Sequence, residues 1–173
     1  MKNNIDVEIC TFSLESCLNA QLAGASRVEL CSGMYDGGTT PSAAMIRMAR
    51  EKLSIQLYVM IRPRGGDFLY SDLEFEMMKE DIRFAKACRA DGVVLGILNA
   101  DGSVDVRRTR ELVELAAPLK VTFHRAIDMT RDMEEALEGI IEAGCYRVLT
   151  SGGRNTVNEG MERIKALVKQ AGG

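Results

Sequence analysis

Ile55-Gln56-Leu57-Tyr58-Val59-Met60-Ile61-Arg62-Pro63-Arg64-Gly65-Gly66-Asp67-Phe68-Leu69-Tyr70-Ser71 decides the fold, because it reads as a strand, a sharp loop and a helix start in succession. Pro63 fixes its own φ and pushes Arg62 toward an extended conformation, which makes Arg62 the last residue of the strand. Side chains alternate along a strand, and here the two faces differ: Leu57, Val59 and Ile61 on one, Gln56, Tyr58, Met60 and Arg62 on the other. Gly65 and Gly66 let the backbone turn sharply and approach a ligand closely. Arg64 and Asp67 supply charge of both signs, and the two arginines, Arg62 and Arg64, beside the Gly-Gly pair suit an anion; the plainer alternative is a strand-to-helix turn with solvated charges. Ser71 and Glu74 then form a capping box for a helix running to about Ala90.

The same strand-then-helix pattern extends in both directions. Ile5 to Cys10 reads as a strand, followed by a helix capped by Ser13 and closed by Gly24. Arg27 to Cys31 is the next strand, and a Gly-rich loop leads to a helix with Thr40 as cap and Pro41 at its first position. Gly92 to Leu98, Leu119 to His124 and Tyr146 to Ser151 are further strands, alternating with helices near Asp105 to Ala116, Thr130 to Gly144 and Thr156 to Lys169. Strands begin about 22 to 37 residues apart, the spacing of right-handed βα units in a parallel sheet. A weak internal repeat supports this: Ala23-Gly24-Ala25-Ser26-Arg27-Val28 is echoed by Ala143-Gly144-Cys145-Tyr146-Arg147-Val148.

Strand parity distinguishes the possible α/β architectures. A doubly wound sheet is apolar on both faces, whereas a barrel has one helix-facing and one interior face. Val7, Ile9, Val28, Leu30, Leu57, Val59, Ile61, Val121 and Phe123 form an apolar set suited to helices. The alternate set holds Glu8, Cys10, Glu29, Cys31, Tyr58, Met60, Arg62, Thr122, His124 and Ser151. The expectation is a TIM-like (β/α) barrel with a polar interior and its functional end at the strand C-termini. Eight strands close such a barrel, and this sequence supplies six, so residues 1–173 are read as a single barrel domain lacking its last two βα units. Either the sequence is truncated or another copy covers the open edges, which makes a homo-oligomer the expected state.

Composition narrows the partners. With 46% hydrophobic and 27% charged residues, a net charge of -3 and no basic run, nothing favours nucleic acid or an anionic membrane surface. No stretch is long and apolar enough to span a bilayer, and Met1 to Asp6 holds no signal core, so a cytoplasmic location is expected. Five cysteines without paired spacing read as free thiols, with Cys17, Cys88 and Cys145 as packing residues.

Several motifs coincide in order: Cys10-Thr11-Phe12-Ser13, Gly24 to Cys31, Asp36-Gly37-Gly38-Thr39-Thr40-Pro41-Ser42, Ile61 to Phe68, Val121-Thr122-Phe123-His124-Arg125-Ala126, Asp128, and Arg147 to Gly152. Together they resemble the CutC copper-homeostasis family. The resemblance implies a TIM-like barrel, a cytoplasmic location, a role in copper tolerance through Cu(I) binding, and a dimer.

Two chemistries follow from the residues. Cys10 and Cys31 hold equivalent positions near the ends of the first two strands, and neighbouring strands lie about 4.8 Å apart. Two thiolates suit Cu(I), a soft ion, and Met60 could add a thioether. Two buried cysteines can equally be inert packing. The alternative is a barrel enzyme acting on a small anionic metabolite, with Glu8, Glu29, Arg62 and His124 as catalytic candidates and Arg64, Asp67, Arg125, Asp128 and Ser151 as substrate-binding candidates. Here too a structural alternative exists, a polar core in which Arg62 satisfies both acids and His124 donates to a backbone carbonyl.

Overall fold

Strand and helix alternate because the apolar period of the sequence switches between two and about 3.6 residues. The computed structural model describes residues 5–172; Met1 to Asn4, the first residues read for a signal, lie outside the described residues. Its strands are β1 (Glu8–Thr11), β2 (Arg27–Leu30), β3 (Gln56–Met60), β4 (Gly92–Leu95), β5 (Lys120–Phe123) and β6 (Arg147–Val148). Its helices are α1 (Leu14–Leu22), α2 (Ala43–Lys52), α3 (Asp72–Ala87), α4 (Val106–Ala116), α5 (Met133–Glu142) and α6 (Val157–Gln170), one after each strand. The strands are parallel and stand in the sheet in sequence order, β1 to β6, which is an incomplete TIM-like α/β barrel. No helix among the described residues is long and apolar enough to cross a membrane.

The chain divides into two compact units. One runs to Gly66 and includes Glu76–Val94; the other comprises Asp67–Phe75 and Leu95 onward. In the first, Val28, Leu30, Leu57, Val59 and Ile61 are wholly buried. Each such side chain contributes roughly 1.5–3 kcal/mol relative to exposure. Part of the alternate set is buried too: Cys31, Tyr58 and Met60 form a cluster with Val94, and Phe12 packs against it. Tyr58 pairs with Gly92 in the β3–β4 register. A side chain at Gly92 would run into the Tyr58 ring, so the glycine makes room for the aromatic. In the second unit, Leu98, Phe123, Ile127, Leu137, Ile140 and Leu167 belong to one buried cluster.

The structure departs from the sequence reading in several places, one being β3, which ends at Met60, two residues before Arg62. Val7 and Ile9, expected against helices, are 47% and 41% exposed. The sheet order puts β1 at an end, with a neighbour on one side only. The α2 cap is Ser42, whose Oγ accepts from the Met45 amide, and not Thr40. Thr40 is committed elsewhere: its amide donates to the Arg62 carbonyl and its Oγ1 accepts from the Arg62 amide, both at 2.9 Å. Thr130 likewise does not start α5, whose cap is Asp132. A 3-10 turn at Arg125–Met129 intervenes, and the Thr130 hydroxyl donates to the Ile127 carbonyl at 2.7 Å.

Candidate metal centre

The β1–β2 register places Cys10 opposite Glu29. Residues two apart on a strand share a face, so Cys31 joins Glu29 on the side that Cys10 occupies. The result is a group of three ligand atoms, from Cys10, Glu29 and Cys31, all within 4.8 Å of one another. The two sulfurs are 3.8 Å apart. Cys31 is wholly buried and Glu29 is 5% exposed, while Cys10 is open to solvent. The contact with Cys10, burial and the Glu29 carboxylate push the Cys31 thiol far above its ordinary pKa. Cys31 is therefore neutral at physiological pH, and a cation would have to displace its proton. Two sulfurs and one carboxylate make a donor set that fits a soft or borderline ion, with the sulfurs favouring Cu(I).

The loop after β2 closes over this group. A Cβ at Gly38, which has φ +96°, would lie 3.3 Å from Cys31 Sγ and 3.5 Å from Met60 Cε. Met60 is buried beside Cys31 in the same cluster. Arg62 secures the loop, donating to the carbonyls of Asp36 at 2.6 Å, Gly38 at 2.9 Å and Gly66 at 2.8 Å. Glu8 is ion-paired to Arg27, a residue absent from the expected network. Arg27 also donates to Gln56 at 3.1 Å and lies 5.0 Å from the Tyr58 ring centroid. Arg64 donates to the Gly65 carbonyl.

The remaining candidates lie in the second unit. His124 is buried, and its Nδ1 accepts from the Ala126 amide at 3.2 Å, which puts the proton of the neutral ring on Nε2. The expectation that His124 donates to a carbonyl is thus replaced, at Nδ1, by acceptance of a backbone N–H. Phe68 packs on the ring with centroids 4.9 Å apart, and a Cβ at Gly96 would come within 2.6 Å of it. Asp67 accepts from the Leu69 amide. Arg125, Asp128 and Ser151 come together: Arg125 donates to Asp128 at 2.8 Å and to the Ser151 hydroxyl at 2.6 Å. Asp128 also accepts from the Thr150 hydroxyl and from the amides of Ser151 and Gly153. Burial opposes its charge, but the hydrogen bonds from Thr150, Arg125 and the two amides hold its carboxyl below the usual range. Arg27 and Thr150 were missed by sequence reasoning, and only the strand register could have pointed to Arg27.

The model of the CutC family matches residues 5–173. The chain belongs to the CutC family. A CutC family protein of Chromobacterium violaceum is 54% identical over 167 residues, covering 96% of this chain and 68% of its own length. The human copper homeostasis protein cutC homolog is 50% identical over 171 residues, covering 99% of this chain and 63% of its own. This chain therefore spans about two thirds of the length of the curated CutC relatives it matches. The CutC structure from Streptococcus agalactiae superposes with a TM-score of 0.91 at 37% identity, over 97% of this chain and 83% of that one.

Proposed function

We propose that this chain is a cytoplasmic copper-handling protein that binds Cu(I) through the thiolates of Cys10 and Cys31. The observation that carries the reading is the 3.8 Å approach of the two sulfurs, with Glu29 inside the same 4.8 Å group. The names of the human and mouse relatives, copper homeostasis protein cutC homologs, point the same way. Glu29 and Met60 are the further donors within reach of this reading, one hard and one soft. The test is an oxygen-free Cu(I) competition titration of the chain against its Cys10→Ser/Cys31→Ser variant, both first checked for folding. One stoichiometric site lost in the variant is expected. Equal affinity in both removes the reading.

A second reading is a barrel enzyme acting on a small anionic metabolite, using Glu8, Glu29, Arg62 and His124 with Arg64, Asp67, Arg125, Asp128 and Ser151. The Arg125–Asp128–Ser151 network favours it, since it orders charged groups at the C-terminal ends of β5 and β6, where barrels carry their chemistry. Ligand-dependent thermal stabilisation lost in Arg125→Ala is the expected result, and a metabolite panel without any shift removes it. Self-association of the chain, as a homodimer, accords with the exposed apolar side chains of Val7, just before β1, and Ile9 on it. Light scattering that gives a monomer across the micromolar range would end that part.

A further inference from the structure

Beside the Arg125–Asp128–Ser151 network lies a cavity of about 190 Å³, whose lining residues other than Asp128 belong to neither reading. Three arginines line it, Arg131, Arg154 and Arg163, brought there from the segment before α5, the loop after β6 and the body of α6. The one acid in its wall is Asp128, whose charge is already met by Arg125 and by hydrogen bonds from Thr150, Ser151 and Gly153. The wall itself thus carries three guanidinium groups and one carboxylate already met by Arg125. Arg131 is partnered by Asp101 and Glu135, and Arg163 approaches Glu134 at 3.5 Å without a closer bond. The Arg154 guanidinium has no hydrogen bond or ion pair among the described residues, although its own carbonyl accepts from Ser151 and Arg125.

The backbone of this wall is fixed rather than loose. Gly152 and Gly153 are consecutive left-handed residues, φ +72° and +67°. A side chain at Gly152 would meet the Gly160 carbonyl of α6 at 2.5 Å, and one at Gly153 would meet Met133 Sδ at 2.9 Å. Asp128 anchors the same two turns through the Ser151 and Gly153 amides. The arginines thus project from a rigid frame around a space that is smaller than the roughly 300–1,000 Å³ of a drug-sized pocket. It suits a charged headgroup. Guanidinium groups match the oxygens of phosphate in paired, charge-assisted hydrogen bonds.

We propose that the cavity bounded by Arg131, Arg154, Arg163 and the Gly152-Gly153 loop binds the phosphate group of a small phosphorylated molecule. The proposal does not depend on copper binding, because none of these residues belongs to the Cys10–Glu29–Cys31 group.

The test is calorimetric titration of the full chain with inorganic phosphate and with methyl phosphate, at constant ionic strength set with chloride. Saturable one-site binding of both is expected, weakened about tenfold or more in Arg154→Ala and again in Arg163→Gln. Arg154 is exposed, so its variant should fold, and circular dichroism checks both. The Cys10→Ser/Cys31→Ser variant should bind phosphate as the parent does, which separates this outcome from that of the copper titration. Absence of saturable binding, loss of binding on raising chloride alone, or unchanged affinity in the double arginine variant overturns the proposal.

Discussion

Cys10 Sγ stands 3.8 Å from Cys31 Sγ, yet Cys10 faces solvent while Cys31 is wholly buried. The two thiols of one pair therefore live in different chemical settings. A reagent that needs an accessible thiolate will distinguish them. Brief iodoacetamide treatment of the native chain should label Cys10 well before Cys31, as read by peptide mass spectrometry. Equal labelling, or Cys31 first, contradicts the burial described. If Cu(I) is held between them, adding it should protect Cys10 as well.

The buried thiols set a pH dependence. Cys31 is pushed up by its contact with Cys10 and by burial, and Cys17 by burial. In the unfolded chain these thiols ionise near about 8.5. As pH rises past that value the unfolded state loses protons that the folded state keeps, so the contribution of neutral buried thiols is complete below about 8.5 and is lost above it. Urea unfolding should show stability falling between about pH 8 and pH 10, less steeply in Cys31→Ala. A profile flat across that interval, or identical slopes, would show that these thiols are not buried as neutral groups.

Asp128 works in the opposite sense. Its folded pKa is held below the ordinary carboxylate value, so its contribution is present above about pH 4 and lost as pH falls through the lower folded value. Asp128→Asn keeps the shape but replaces one acceptor oxygen by a donor facing the hydroxyl and amides that now donate to it. A loss of about 2–4 kcal/mol is expected, together with a weaker acid dependence of thermal stability. A variant within about 0.5 kcal/mol of the parent would mean that the network is only loosely formed.

Gly92 has no room to grow. A methyl there meets the ring of Tyr58, which is itself 1% exposed. Gly92→Ala should cost about 1–3 kcal/mol through overpacking. In a Tyr58→Leu background Gly92→Ala should cost less than it does in the parent, a coupling that chemical denaturation can measure. Strict additivity would refute the clash.

Local signals were the legible ones. Ser13 caps its helix and Ser71 with Glu74 closes its box, as read, because each bond spans only three residues; Asp105 and Thr156, read as the first residues of their helices, are the caps of α4 and α6. Thr40 and Thr130 misled for the converse reason: their hydroxyls are taken by Arg62 and Ile127, and only the folded chain shows those partners. Of the metal group, Glu29 and Cys31 follow from a period of two, and the Cys10 contact follows once the first two strands are set side by side. The Glu8–Arg27 pair requires the register Glu8 opposite Arg27, which no local pattern carries. Arg131, Arg154 and Arg163 meet from separate segments, and each alone is an ordinary surface arginine.

The guanidinium of Arg62 moors two loops at once, through the Asp36 and Gly38 carbonyls on one and Gly66 on the other. Segments held by a shared anchor open as one cooperative step, so amide exchange at Gly37–Thr39 and Gly65–Gly66 should rise together when Arg62 is replaced. Gly38 lies over Cys31, and the buried sulfur is then reached at the frequency of that opening. The speed at which anything attaches to Cys31 would be written in a hinge that carries no sulfur at all.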